Sequence, residues 1–435
     1  MIVVDDLNDW NDLLQKDAPI RLPNLQRLAS RGTLFSHAYC LSPACNPSRA
    51  GTLTGLRPTT TGVYGNRSDW RKAVPNRPTI MQRFQTAGYT VHGAGKIFHH
   101  HLEGAFHDES SFDDFQPMKA QSYPPNKLNH APNYGSRNTD WGPWPASSQD
   151  TIDHATVDYC IGQLQQPPDQ PLFLACGIYK PHSPFFAPPE FHHADRSIPL
   201  PHRPADDWTD LPEGAHRLLK SKRWFWDGMM ELDQRRPGAY QSFLQSYAAC
   251  AEFADHQIGR LLDAVPNSPR GRKMMIVLWS DHGFHLGEKN HIEKFALWEK
   301  TNRIPLIIVA PGITAPNSIC PTPVDLTVLY PTLLELTGQP ADRSCDGLSI
   351  MPLLRDVDAD WDTPALMTYG RGNHAVRSKD FRYIRYADGN EELYDHRQDP
   401  LEHNNLAGPQ TEIILADHRR WLPTEEAAPV ADLKR

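Results

Sequence analysis

Short runs of apolar residues, each closed by polar ones, recur along the 435-residue chain. "MIVV" runs into Asp5 and Asp6, "YTVHGA" into Lys96 and His99, and "PLFLACGIY" into Lys180 and His182. "KMMIVLWS" leads to Asp281 and His282, and "IPLIIVA" to Pro311 and Gly312. Continuous runs rich in Val and Ile predict strands of a parallel sheet, because such strands are covered on both faces. In open α/β sheets ligands bind outside the carboxyl ends of the strands. The five runs are therefore expected to carry their polar residues to one edge.

Between them the period changes to that of helices. "PNLQRLASRG" has Pro23 near its start and Gly32 at its end, "TIMQRFQTAG" stops at Gly88, and "DLTVLYPTLLELTG" stops at Gly338. In "QSFLQSYAACAEFADHQIGRLLDAV", Phe243, Tyr247, Ala251, Ala254, Ile258, Leu261 and Val265 recur at helical spacing, a stripe expected to pack in the core. Beyond about residue 358 short alternating runs are separated by "ADGN", which predicts antiparallel strands with a tight turn. The expected fold is α/β, a large mostly parallel sheet over residues 1–357, with a small C-terminal antiparallel subdomain over 358–435. No internal repeat is visible.

Composition narrows the function classes. Hydrophobic residues make up 39% and charged residues 22%, globular values, and no apolar run approaches the roughly 18 residues needed to span a bilayer. A net charge of -8 argues against nucleic acid, so neither nucleic acid nor membrane is an expected partner and any anion site must be local. The 40 prolines gather in segments such as "QSYPPNKLNHAPNYGSRNTDWGPWPASS", where interleaved aromatics favour long ordered loops. Seven cysteines show neither CxxC nor finger spacing, and their odd number leaves at least one thiol with another fate. No signal peptide is visible, and "MIVVDD" reads as the middle of a strand, so residues upstream are expected to be missing.

Three features bear chemistry. "CNPSRAGTLTG", from Cys45, places a cysteine and Arg49 just ahead of a helix, where backbone N–H groups favour an anion. Asp5 and Asp6, with Asp281 and His282, form a carboxylate-rich cluster if their strands are neighbours. Carboxylates so gathered repel unless a cation sits among them, and oxygen-dominated ligation favours Ca²⁺ or Mg²⁺ over zinc. Arg49, Lys96, His99, His182 and Lys294 add cations or potential cations near the strand ends, a pocket suited to a tetrahedral, multiply charged group such as a phosphate or sulfate ester.

On these motifs the chain resembles the type I sulfatases, and within them the iduronate-2-sulfatase-like branch. "IVVDDL", "CNPSRAGTLTGLRPTTTGVY", "GKIFHH", "KPHSPF", "SDHGFHLGEKNHIEKF" and "ELYDHRQDPLEHNNLA" stand in that family's order, from Met1 to about Ala407. The resemblance implies an alkaline-phosphatase-like α/β/α sandwich and a hydrolase of sulfate esters. It implies that Cys45 is oxidised to formylglycine, with Pro47 and Arg49 read by a formylglycine-generating or sulfatase-maturing enzyme. One hydroxyl of the hydrated aldehyde would attack sulfur and the second would later expel sulfate, which a plain serine could not do. By the same resemblance Asp5, Asp6, Asp281, His282 and the modified Cys45 are calcium ligands, and Arg49, Lys96 and His99 hold the diol and the sulfate charge. His182 and Lys294 then stand on the leaving-group side, with His182 the proton donor because imidazole titrates near neutrality. Histidine at 282, where many sulfatases have Asn, matches the iduronate-type branch.

The resemblance implies a sulfated carbohydrate as substrate and a periplasmic or secreted setting. A terminal or short sulfated saccharide is expected, because a chain this acidic would repel a long polyanion. Loops 100–150 and 185–240, with Tyr64, Asn66, Asp69, Trp70, Arg371 and His374, flank the motifs and combine aromatics with polar tips, which suits substrate binding. Two alternatives stand beside this reading. One is a phosphonate monoester or phosphodiester hydrolase on the same fold, although no second metal set is found; the other is a polyanion-binding pseudoenzyme, although every motif position is intact.

Overall fold

The computed structural model describes residues 1–99, 106–129, 139–167, 169–193, 196–220 and 223–433. His100 and His101, and parts of both loops singled out above, lie outside the described residues. The elements that place the site are β1 (Ile2–Asp5), α1 (Pro23–Ala29), β2 (Thr33–Tyr39), α2 (Cys45–Thr54), β3 (Thr90–Gly95), β4 (Asp114–Gln116), α3 (Ile152–Leu164), β5 (Leu172–Pro181), α4 (Ala239–Ala264), β6 (Ile276–Ser280), β7 (Arg303–Val309), β8 (Ser318–Cys320) and β9 (Val324–Asp325). Nine strands form one sheet in the order β8-β2-β7-β6-β1-β5-β3-β4, with β9 also paired to β2.

Strand alternation builds the two cores. Val3, Val277, Trp279, Leu306 and Ile308 face one side, together with α2. Ile2, Val4, Ile276, Leu278 and Ile307 face the other, against α1, α3 and α4. Both faces are dry, which is why these strands read as unbroken apolar runs. The expected stripe on α4 is buried from Phe243 to Val265.

One expectation is corrected. β1, β3, β5 and β6 are mutually parallel, but β7 runs antiparallel to β6 and β2. The segment 281–302 begins at the carboxyl end of β6, and β7 returns from there. Pro311 and Gly312 therefore lie at the edge opposite Asp281, and four of the five runs, not five, end at the chemical edge.

The second sheet is antiparallel: β10 (Ala365–Thr368), β11 (His374–Arg377), β12 (Phe381–Arg385) and β13 (Glu391–Asp395), followed by α5 (Glu412–Arg419). Its residues Ala365, Met367, Ala375 and Ile384 join the core of the main sheet. A buried charge cluster ties the sheets together. Arg382 pairs with Glu299 and, at 2.7 Å, with Glu402, while the Tyr39 hydroxyl donates to Glu299 at 2.9 Å. Glu299, Glu402 and His396 lie close enough to hold an ion, but Arg382 already pairs with both carboxylates and Arg377 reaches Glu299 at 3.5 Å. Among the described residues no helix is long and apolar enough to cross a membrane. All seven cysteines are free.

Candidate active site

β1 and β6 are adjacent and in register, Val4 opposite Ser280, so the chain leaves both strands at the same point. There Asp6 takes φ 60°. This left-handed conformation is uncommon for a residue with a side chain. Three hydrogen bonds hold the turn. The Asp6 N–H donates to Asp281 Oδ1 at 3.2 Å, the Leu7 N–H donates to Ser280 Oγ at 3.1 Å, and the Tyr247 hydroxyl donates to the Asp6 carbonyl at 2.8 Å. Tyr247 also accepts from the Asn8 N–H at 3.0 Å. Its place in the apolar stripe of α4 concealed this role.

α2 begins at Cys45 and is buried along its whole length. Asn66 Oδ1 accepts from the Asn46 N–H at 3.0 Å, satisfying one of the open donors of the first turn. Ser48 Oγ donates to the Asp281 carbonyl at 2.6 Å and ties the helix to the end of β6.

Cys45 Sγ is the centre of the arrangement. It lies 3.1 Å from Lys294 Nζ, 3.2 Å from His282 Nε2, and 3.7 Å from both Lys96 Nζ and Asp5 Oδ1. Burial alone would raise the thiol pKa, but Lys294, Lys96 and His282 outweigh it and hold it well below its ordinary value. The pocket thus stabilises an anion at position 45. His99 is buried, and burial lowers its pKa to about 4, leaving it neutral, against the opposing pull of Cys45. Lys96 pairs with Asp5 and sits 5.5 Å from the Tyr179 ring and 5.3 Å from that of Phe106. Neither aromatic carried a signal in the sequence that distinguished it from core.

Asp5, Asp6, Cys45 and His282 each bring a ligand atom within 4.8 Å of the other three. His282 donates from Nδ1 to the Gly283 carbonyl at 3.0 Å; burial lowers its pKa, but Asp281 and Cys45 outweigh burial and raise it to about 9, so Nε2, 3.2 Å from Cys45 Sγ, offers its lone pair only where a cation displaces the proton. Asp6 Oδ2 is buried and, among the described residues, has no hydrogen bond. Two carboxylates and a lone-pair donor around an unfilled acceptor are a set that fits a cation. Asp281 stands beside this group rather than in it: its Oδ2 accepts from Arg49 Nε at 2.7 Å, and its Oδ1 accepts from backbone N–H groups. Arg49 is fully buried and also reaches Asp5 at 3.3 Å and the carbonyls of Lys96 and Ile97 at 2.5 and 3.2 Å. It therefore anchors both carboxylates and the end of β3.

His182 donates from Nδ1 to the Ser183 carbonyl at 2.7 Å, leaving Nε2 3.9 Å from Asp6 Oδ2. Its loop rests on Lys180, whose buried Nζ donates to the carbonyls of His182, at 3.2 Å, and Pro184, at 2.5 Å. Asp153, on α3, accepts from the N–H groups of Tyr179 and Lys180 at 2.6 and 3.0 Å. Burial raises its pKa to about 6.

The candidate substrate residues have partners within the chain. Asn66 holds the first turn of α2, and Asp69 accepts from the Lys72 N–H at 3.1 Å. Trp70 is fully buried, stacked on Phe98 at 4.8 Å, so its ring belongs to the core. Tyr64, Arg371 and His374 meet at the segment around Glu426.

A family profile described as sulfatase matches residues 1–339, and one described as N-sulphoglucosamine sulphohydrolase, C-terminal, matches residues 287–422. A sulfatase from Formosa agariphila is 35% identical over 425 residues, covering 93% of this chain and 82% of that protein. Iduronate 2-sulfatase from Homo sapiens is 30% identical over 396 residues, covering 79% and 70%. Among solved structures, one in complex with its substrate D-glucosamine-2-N,6-O-disulfate superposes with TM-score 0.74 at 20% identity, covering 97% of this chain and 95% of that one. A phosphonate monoester hydrolase from Silicibacter pomeroyi superposes with TM-score 0.80 at 22% identity, covering 96% and 93%. Both are likenesses of fold.

Proposed function

The chain belongs to the sulfatase family and is a sulfuric ester hydrolase, and from that premise we propose that it removes sulfate from a terminal, 2-sulfated hexuronate or a related short sulfated saccharide. The observation that carries the reading is the enclosure of Cys45 by two ammonium groups beside a paired carboxylate. A site whose ammonium groups favour negative charge at position 45 is organised for the charge that develops during sulfuryl transfer. The relative named iduronate 2-sulfatase supports the hexuronate, and the acidity of the chain supports a short substrate over a long polyanion.

In this reading Cys45 is converted to formylglycine by a maturing enzyme, and Asp5, Asp6, His282 and position 45 hold one Ca²⁺, with Asp281 at its margin. When bound, the cation supplies fixed positive charge and the modified residue supplies a hydrated aldehyde with two hydroxyls. With an oxygen in place of Cys45 Sγ the donors become oxygen-dominated, the preference of Ca²⁺; with the thiol, zinc would compete. Arg49 holds the carboxylates of Asp5 and Asp281 in place. Lys96 and His99 orient the sulfate oxygens, and His182, fixed through Nδ1 and with Lys294 on the leaving-group side, presents Nε2 to donate a proton to the departing alcohol. Residues 1–357 form the catalytic domain of this proposal and 358–435 the smaller one.

The test is direct. The peptide containing Cys45 should show the mass loss of thiol-to-aldehyde conversion, and the enzyme should release sulfate from 2-sulfated uronate disaccharides faster than it cleaves a phosphonate monoester. Cys45→Ala and Cys45→Ser should fold and lose multiple turnover. An unmodified Cys45 in an active preparation, sustained turnover by the serine variant, stoichiometric zinc without calcium, or preference for the phosphonate would each overturn the proposal.

A further inference from the structure

Residues far apart in sequence converge on one carboxylate, that of Glu426. His374 Nε2 lies 3.3 Å from Glu426 Oε1, and the Gly372 N–H donates to Oε2 at 3.0 Å. Arg371 Nη2 donates to the Glu426 carbonyl at 3.1 Å. The Tyr64 hydroxyl donates to the Ala427 carbonyl at 3.0 Å, and burial and the Glu426 carboxylate together push its pKa up to about 12. The segment then runs along loop 59–69 as a strap. Ala427, Val430 and Leu433 donate their N–H groups to the carbonyls of Thr59, Gly62 and Arg67 at 2.7, 2.9 and 2.8 Å, and the Asp69 N–H donates to the Ala431 carbonyl at 3.2 Å. Gly62 has φ 75°, and a Cβ there would collide with the Ala428 carbonyl, so the close approach requires glycine.

Each side of the strap leads to groups around Cys45. In loop 59–69, Asn66 accepts from the Asn46 N–H next to the nucleophile position. In the turn that follows β10, the Tyr369 ring lies 5.7 Å from that of Phe295. Phe295 neighbours Lys294, whose Nζ touches Cys45 Sγ, and its own N–H donates to the Pro43 carbonyl at 3.0 Å. The strap thus ties the two segments together, loop 59–69 through its backbone and the Tyr64 hydroxyl and turn 369–374 through the Glu426 carboxylate.

We propose that residues 424–433 set the spacing of these two segments, and that Glu426 is a positioning residue for saccharide recognition. It holds Tyr64 and the Arg371–His374 turn where a sugar bearing the sulfate must meet them. A small sulfate ester, which needs only the groups touching Cys45, is indifferent to it. The proposal rests on the saccharide sulfatase reading above.

The test compares the full-length enzyme with Glu426→Ala, with Glu426→Gln, and with a variant whose residues 425–433 are replaced by a Gly/Ser sequence of equal length. Each is assayed on a sulfated disaccharide and on 4-nitrophenyl sulfate, and amide hydrogen exchange is followed in peptides covering 59–69 and 366–377. Glu426→Ala and the strap replacement should raise KM for the disaccharide by about tenfold, the loss of hydrogen bonds to a charged group, while kcat and aryl-sulfate turnover stay within about twofold. Glu426→Gln keeps an acceptor for the Gly372 N–H and should stay within about threefold. Unchanged disaccharide KM, or a parallel loss on both substrates, would overturn the proposal. Should the wild-type enzyme spare the disaccharide, the saccharide reading fails, and the exchange data still decide the strap: faster exchange of both peptides in Glu426→Ala supports it and unchanged exchange refutes it.

Discussion

Tyr247→Phe isolates how a core helix governs the candidate cation site. The ring is fully buried and packs on Phe185 and Phe284, at 5.3 and 6.1 Å, contacts that phenylalanine retains. What is removed is one oxygen with two partners, the Asp6 carbonyl at 2.8 Å and the Asn8 N–H at 3.0 Å. Leaving a buried polar group without a partner costs about 1–3 kcal/mol, so the pair predicts a loss of about 2–6 kcal/mol. The larger consequence is local. Asp6 sits at φ 60°, a conformation that persists only where its surroundings enforce it, and releasing its carbonyl lets the turn relax and the carboxylate move. Loss of such a supporting contact typically weakens metal affinity by about 10–100-fold. Urea unfolding followed by tryptophan fluorescence reads the first effect. Titration of chelator-treated enzyme with Ca²⁺ reads the second, as a rise in the concentration that restores half of the activity. A variant that loses stability but superposes on wild type in the Ca²⁺ titration would refute the argument and return Tyr247 to the core.

Asp281→Ala should destabilise the fold by about 3–5 kcal/mol, because it takes from the buried Arg49 the closer of its two carboxylates and removes the acceptor of the Asp6 and His282 N–H groups. Asp281→Asn, which keeps the acceptor, should cost less, and equal unfolding midpoints for Asp281→Ala and wild type would reject this pairing. Asp153 has its folded pKa raised to about 6 by burial, above its unfolded value, so between about pH 4 and 6 the folded state binds the extra proton and stability falls as pH rises. Asp153→Asn should flatten that window when urea midpoints at pH 4.5 and 6.5 are compared, and an unaltered pH dependence would show that the carboxyl does not titrate there.

Much of the site was legible because its chemistry is local in sequence. Asp5 and Asp6, Lys96, His182, and Asp281 and His282 each follow an apolar run, and a parallel sheet brings such strand ends together. The helix start at Cys45 was visible in the same way. Tyr247 was misleading because its ring obeys the helical stripe while its hydroxyl serves Asp6. Trp70 was misleading in the opposite sense: it stands beside a motif, yet its ring stacks on Phe98 in the core.

By itself the sequence determined the elements, the faces they bury, and the set of charged groups carried to the carboxyl ends of β1, β3, β5 and β6. These follow from periodicity, which depends on residues two to four positions apart. The tertiary structure alone decided that β7 runs against its neighbours, that Asp281 turns its carboxylate to Arg49, and that Glu426 gathers Tyr64 and the turn at 371–374. Those outcomes join residues separated by tens to hundreds of positions. A buried charge takes whichever opposite charge the packing leaves within reach, and no local pattern records which one that is.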